Sequence, residues 1–381
     1  MKKENIFLRI FLIVILLFPL TTLFTSFSII STVNKFLVGL LIISIGVLFI
    51  TKIKIKSLFI YIFTILLVFI DFYFTKLPIY NINETLYLLM WVLVLTCFTD
   101  NYFEINYSMK EMKWIFLLII LIWEFFVFFS FFLDTSYVGN SFSSFTGGKQ
   151  HRFASSALLI CAFILAIRRY YKNLFLFLLI IPIFSIIITG ARTYLIIAIL
   201  LITLIYYKKC KNLQMFYISI VPILLLCCII IYNTNSMQER IEQFMNLKDY
   251  SNDFWYALTS GRSSFWIIDL EYIFKSKPIN IFLGNGFNFI RYVNINFYGQ
   301  NIWAHNDFIQ LLGTNGIVGL FIYLYVYFRL TSYFYKKNKR FEFFLLHTIN
   351  FSNAMLNMLY TYFTSMLSIP FLIIYILSEQ D

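Results

Sequence analysis

The chain has 381 residues, of which 61% are hydrophobic and 13% charged, and its formal net charge is +12. Ordinary soluble domains carry about twice that share of charge, so the composition excludes a soluble globular protein and indicates an integral membrane protein. The positive charge does not argue for nucleic acid, because the basic residues cluster between apolar runs and read as topology signals.

Twelve predominantly apolar stretches follow in chain order, at about 6–26, 36–51, 57–75, 85–99, 114–133, 154–167, 174–190, 191–207, 213–232, 308–330, 341–359 and 361–377. Each suits a membrane-crossing helix, although several are short. The first follows MKKEN, lacks a small-residue cleavage site and is succeeded by more spans, so it reads as an uncleaved helix. One alternating set of connections and ends carries seventeen Lys and Arg, from Lys2, Lys3, Lys52, Lys54 and Lys56 through Lys208, Lys209 and Lys211 to Lys336, Lys337, Lys339 and Arg340. The opposite set carries five: Lys35, Lys76, Lys149, Arg152 and Arg192. Positive charge stays inside, so both termini are expected in the cytoplasm of a multi-pass plasma-membrane protein. Residues 1–381 then form one polytopic domain, and 233–303 form its single large extracytoplasmic loop.

That loop has helical patterning. SMQERIEQFMNL places Met237, Ile241, Phe244 and Met245 on one face, and SGRSSFWIIDLEYIF has apolar residues at mostly helical spacing before Pro278. GNG at 284–286 signals a turn. Trp255, Trp266 and Trp303 can anchor the loop at headgroup level or stack on a sugar. Cys97, Cys161, Cys210, Cys227 and Cys228 suggest neither a disulfide framework nor a zinc site.

A few polar residues could carry chemistry. Arg192, in ITGART between two closely spaced spans, either snorkels to headgroups or clamps an anion. Arg262 lies in the first turn of a loop helix, where free N–H groups and a guanidinium fork suit phosphate; the alternative is a solvated loop residue. His305 precedes the helix that begins HNDFIQLL, so the helix dipole favours its neutral form, able to accept a proton; it could equally cap or pack. Asn306 stands beside it, and Asp307 either caps the helix or does chemistry. His151 and Arg152 could extend a basic mouth or anchor at the interface. Glu124 sits mid-span, and Asn350, Asn353 and Asn357 form a stripe with His347 that should face the bundle interior. Glycines 313, 316 and 319 permit close helix packing. No Asp-x-Asp pair and no GxxxxGK[ST] loop occur. A donor used on the outer face must arrive already activated in the membrane. A lipid-linked pyrophosphate sugar meets that requirement, with arginines to neutralise the leaving group and a histidine to deprotonate the attacking hydroxyl.

TGART at 189–193, SGRSSFW at 260–266, FLGNGFNF at 282–289 and HNDFIQLLGTNGIVGLFIYLY at 305–325 together resemble the O-antigen polymerase and ligase superfamily of bacterial envelope glycan enzymes. Their order, the long loop and the twelve-span layout fit as well. The resemblance covers about 150–381, and the first five spans only in style; Ala191 stands where the family often has Ser. It implies an all-α membrane glycosyltransferase of the GT-C-like kind, with no cofactor and no metal. Its donor would be an undecaprenyl-pyrophosphate-linked oligosaccharide. Arg192 and Arg262 would hold the donor pyrophosphate and His305 would be the base, with Arg152, His151, Asn306 and Asp307 around the substrate. Polymerisation of repeat units into O-antigen or capsular polysaccharide is the favoured activity, and ligation to another acceptor the alternative. A flippase or transporter fits less well, because the polar chemistry sits in the loop. The lipid bilayer, a chain-length regulator and the flippase of the same pathway are the partners implied, and nucleic acid is not.

Overall fold

A computed structural model describes residues 6–378 apart from 53, 76–82, 139–140, most of 211–231, 234, 252–253 and 260. Apart from its turns and connections, the described chain is helical with one two-stranded hairpin, β1 (Tyr137–Val138) with β2 (Ser141–Phe142). Eight helices come first: α1 (Ile6–Leu23), α2 (Ser28–Lys52), α3 (Ile55–Phe74), α4 (Asn83–Glu111), α5 (Lys113–Ser130), α6 (Gln150–Ile167), α7 (Phe175–Ile188) and α8 (Arg192–Lys209). Five shorter ones occupy the expected loop: α9 (Asn235–Ser251), α10 (Phe254–Leu258), α11 (Arg262–Phe274), α12 (Pro278–Leu283) and α13 (Phe289–Tyr298). The last three are α14 (Asp307–Phe334), α15 (Arg340–Leu356) and α16 (Phe363–Leu377).

Eleven of the twelve expected spans thus coincide with helices, and the ninth, 213–232, lies largely outside the described residues. Among the described residues, α1 to α6 and α14 are seven helices long and apolar enough to cross a membrane; α7 and α16 are apolar but shorter. α8 is as long as α1 but carries Arg192, Lys208 and Lys209. The chain is therefore an all-α, multi-pass membrane protein by length and composition.

The core runs along α6, whose residues Phe153 to Ile167 are all buried, and along α16, which packs against it. An apolar helix buried on every side belongs at the centre of a bundle. Lys208, at the C-terminal end of α8, is also buried: its ammonium donates to the Ile376 carbonyl at 3.2 Å, to Ser378 Oγ at 2.8 Å and to the Tyr375 carbonyl. It caps the last carbonyls of α16, where a cation also complements the helix dipole. Part of what reads as topology charge is therefore structural. At the same end, Arg329 bonds Asp100 at 3.2 Å and Ser57 at 2.8 Å.

α14 is broken inside its span. Gly316 adopts φ 68°, ψ −168°, a conformation open essentially to glycine alone. The break leaves carbonyls without helical partners, and the backbone of the 284–286 turn supplies them. Asn285 N–H donates to the Gly313 carbonyl at 2.9 Å, and Gly286 N–H to the Thr314 carbonyl at 3.1 Å. The GNG segment is thus wedged between α3 and α14: Phe287 N–H bonds Thr75 Oγ1 at 2.8 Å, Phe287 packs edge-on against Phe72, and Asn315 bonds the buried Asp71. The sequence reading placed Gly313, Gly316 and Gly319 in ordinary helix packing. The cause is more specific, because a Cβ on Gly316 would overlap the Phe282 carbonyl and the Gly284 nitrogen. Gly316→Ala should cost about 1–3 kcal/mol for its backbone alone, with the clash added. The variant should melt lower in detergent than Gly39→Ala, whose added methyl meets nothing within 4 Å. Equal melting of the two would show that the break is not required.

Candidate functional site

Several helices begin at one end of the bundle, opposite Lys208 and Arg329. The N-termini of α6, α8 and α11 surround a cavity of about 180 Å³, lined by Gln150, His151, Arg192, Thr259, Arg262 and Trp266 among others. A helix N-terminus presents unpaired N–H groups and positive potential, so three of them converge on a volume that already holds two guanidinium groups. An anion would be stabilised there.

Local sequence accounts for each placement. Gly190 at φ 71° turns the chain between α7 and α8, so Arg192 becomes the first residue of α8. Gly261 at φ 83° does the same before α11, placing Arg262 at its start. Each guanidinium is steadied by a backbone carbonyl. Arg192 Nη1 donates to Ala257 at 3.2 Å, and Arg262 Nη1 to Leu356 at 2.6 Å. Trp266, one turn into α11, lines the cavity and donates from Nε1 to the Ala304 carbonyl at 2.6 Å. It therefore fixes the backbone immediately before His305. The Trp255 side chain lies outside the described residues; Trp303 is stacked by the Arg291 guanidinium at 4.2 Å.

His305 has φ 52°, an uncommon backbone state for a non-glycine residue. It is half-buried, and its Nδ1 is enclosed without a hydrogen-bond partner among the described residues. Burial, followed by the nearby charges of Arg262 and His151, pushes the imidazole down to about 3. It is neutral at physiological pH. The same interaction shows that His305, Arg262 and His151 lie together. The His151 ring packs 6.3 Å from Tyr194 and 6.4 Å from Tyr362.

Asn306 and Asp307 both make structural contacts at the start of α14. Asn306 is the N-cap, its side chain accepting from Phe308 N–H at 3.0 Å and Ile309 N–H at 3.3 Å. Asp307 is wholly buried and accepts from Tyr323 Oη–H at 3.0 Å and from Tyr360 N–H at 3.1 Å. It ties α14 to the segment between α15 and α16 and does not cap its own helix. Arg152 is exposed and lines a different cavity from His151. Glu124 is buried in α5, with Oε1 unpartnered among the described residues and remote in sequence from the cavity lining. The His347 and Asn350 side chains turn inward onto Tyr327, at 2.9 and 3.3 Å. Thr259 and Tyr362 are neighbours of the site that the sequence did not signal.

Arg192, Arg262 and His305 at adjoining helix ends define a class: a polytopic membrane protein with a cationic, anion-receptive site beside a neutral histidine. Residues 174–324 match the family model described as O-antigen ligase, which supports the resemblance of that region to the O-antigen polymerase and ligase superfamily. The matched region runs from the start of α7 into α14 and contains all three residues. No curated protein matches the chain.

α11, which carries Arg262, contains a titratable group of its own. Burial raises the Asp269 carboxyl to about 7, and the Asn294 amide offsets part of that rise. An unfolded Asp titrates near 4, so between about pH 4 and 7 the folded state binds more protons than the unfolded one. Stability should therefore fall as pH rises through this window and level off above it. Melting curves should show Asp269→Asn gaining on wild type from pH 4 to 7 and keeping a constant advantage beyond. A pH-independent difference would place Asp269 in a polar setting instead. For His305 the relevant change is the anion. A bound anion would offset the Arg262 charge and raise the imidazole towards its ordinary range. The acid limb of kcat should then lie at higher pH than that of kcat/KM, because the two report bound and free enzyme. Coincident limbs would show that the arginines and the histidine are uncoupled.

Proposed function

We propose that the chain polymerises undecaprenyl-pyrophosphate-linked oligosaccharide repeat units into O-antigen or capsular polysaccharide at the outer face of the plasma membrane, with both termini cytoplasmic. The observation that carries this reading is the pair Arg192 and Arg262 on one cavity, with His305 beside it. Arg binds pyrophosphate through a planar fork. In the reaction, the oxygen of an acceptor hydroxyl attacks the anomeric carbon of the donor. The bond from that carbon to the pyrophosphate oxygen breaks, and lipid pyrophosphate leaves with the bonding electrons. The hydroxyl proton passes to His305, which is neutral and so able to accept it. The two guanidinium groups and three helix ends offset the charge that grows on the leaving group. This scheme asks for no metal ion.

Ligation to a different acceptor uses the same chemistry, and the matched family model is described as O-antigen ligase. Products separate the two. Purified protein given only lipid-linked repeat units should yield a ladder of longer lipid-linked chains, in excess EDTA as well as without it. No ladder, together with transfer to a second glycolipid, would make the chain a ligase. Loss of general-base catalysis typically costs about 10²–10⁴-fold, so His305→Ala should leave single repeat units at wild-type protein abundance. Arg262→Lys should lose much of the activity, because Lys lacks the fork, and Arg262→Ala more. Normal chain length in all three would remove these residues from the reaction.

A further inference from the structure

A second cavity opens at the same end of the bundle. It holds about 300 Å³ and is lined from α1, α2, α4, the first turn of α6 and the turn before α16. That is room for one or two sugar rings, at the small end of ligand pockets. The two cavities share the α6 N-terminus as a partition: Gln150 and His151 line the Arg192–Arg262 side, and Lys149 and Arg152 line the other. Tyr362, on the wall of the second cavity, is within electrostatic reach of both Arg152 and Arg262. A ligand in the second cavity therefore lies across the α6 N-terminus from His151.

The lining chemistry is selective. Lys35, Lys149 and Arg152 contribute three cations, and the described lining contains no carboxylate. Lys149 is destabilised as an ammonium by burial and then by Arg152 beside it, which shows like charges held together. Most of the remaining polar lining consists of hydroxyl groups, with the Asn34 amide among them. Asn34 Oδ1 is buried and has no hydrogen-bond partner among the described residues. An acceptor atom without a donor, hydroxyls on several walls and the ring of Tyr87 suit a sugar. Three cations with no carboxylate in the described lining suit one that is negatively charged.

We propose that this cavity is the subsite for the acceptor sugar and that it selects an acidic one, bearing a carboxylate or a phosphate substituent. The inference rests on the polymerase reading, in which donor pyrophosphate fills the first cavity. The second then presents the acceptor hydroxyl to His305 from the opposite side of the α6 N-terminus. Lys35 and Arg152 recognise the charge, and Asn34 takes a ring hydroxyl.

Binding can be measured without turnover. Saturation-transfer NMR on the purified chain in nanodiscs of neutral lipid would use methyl glucuronide, glucose 6-phosphate and methyl glucoside as probes. One of the two anionic probes should bind at least about tenfold more tightly than the neutral one, the size expected of a charge-assisted hydrogen bond. Which of them binds identifies the substituent. Lys35→Ala with Arg152→Ala should abolish the preference. Both side chains are exposed, so the fold should tolerate the change. Arg262→Ala should leave the preference intact. Equal binding of all three probes by the wild type would overturn the proposal, as would a preference that survives in the double variant. In polymerisation, the double variant should raise KM for the acceptor with little change in kcat. Carboxyl reduction or dephosphorylation of the acceptor should do the same to the wild type. If acidic probes bind but no glycan is transferred from lipid pyrophosphate, the polymerase reading fails and the subsite stands.

Discussion

Backbone that is not helical must still bond its N–H and C=O groups when it lies within an apolar bundle. α14 meets that constraint by borrowing donors. Its break at Gly316 leaves the Gly313 and Thr314 carbonyls to the N–H groups of Asn285 and Gly286. This exchange fixes the 278–288 segment between α3 and α14, and with it the chain that links α11 to α14. Arg262 stands at one end of that link and His305 at the other. The placement of the two residues is thus supported by these backbone hydrogen bonds together with the Trp266–Ala304 bond.

Charge is distributed with the same economy. Around the first cavity the positive ends of α6, α8 and α11 reinforce Arg192 and Arg262, and each guanidinium is already half-engaged by a carbonyl. A side chain held in this way loses little freedom when an anion arrives, so more of the interaction appears as binding. Burial drives the neighbouring imidazole to its neutral form, and the crowded cations add to that effect.

The spans were legible because membrane helices announce themselves by length and composition: eleven of twelve coincide with helices. Arg192, Arg262 and His305 were legible because each stands beside a local signal, a glycine turn or a polar start to an apolar run. Tertiary pairing was not. Nothing in HNDF distinguishes the Asn that caps from the Asp that is buried, because the choice depends on Tyr323 and Tyr360, which are 16 and 53 residues away. GNG read simply as a turn, since a single sequence does not reveal that its N–H groups bond a broken helix 28 residues on. Lys208 counted as a topology charge and is a buried cap. The second cavity was invisible for a similar reason, as its walls come from five separate parts of the chain.

Asp307 has a mechanical meaning beyond its burial. Its carboxylate fastens the first turn of α14 to the backbone at Tyr360, two residues before Tyr362. Tyr362 lines the second cavity, and the Arg262 guanidinium bonds Leu356 a few residues earlier on the same connection. One short strap between α15 and α16 is thus pinned from both sides, by the histidine-bearing turn and by the arginine-bearing helix. The strap contributes to both cavities, with Leu356 in the wall of the first and Tyr362 in the wall of the second.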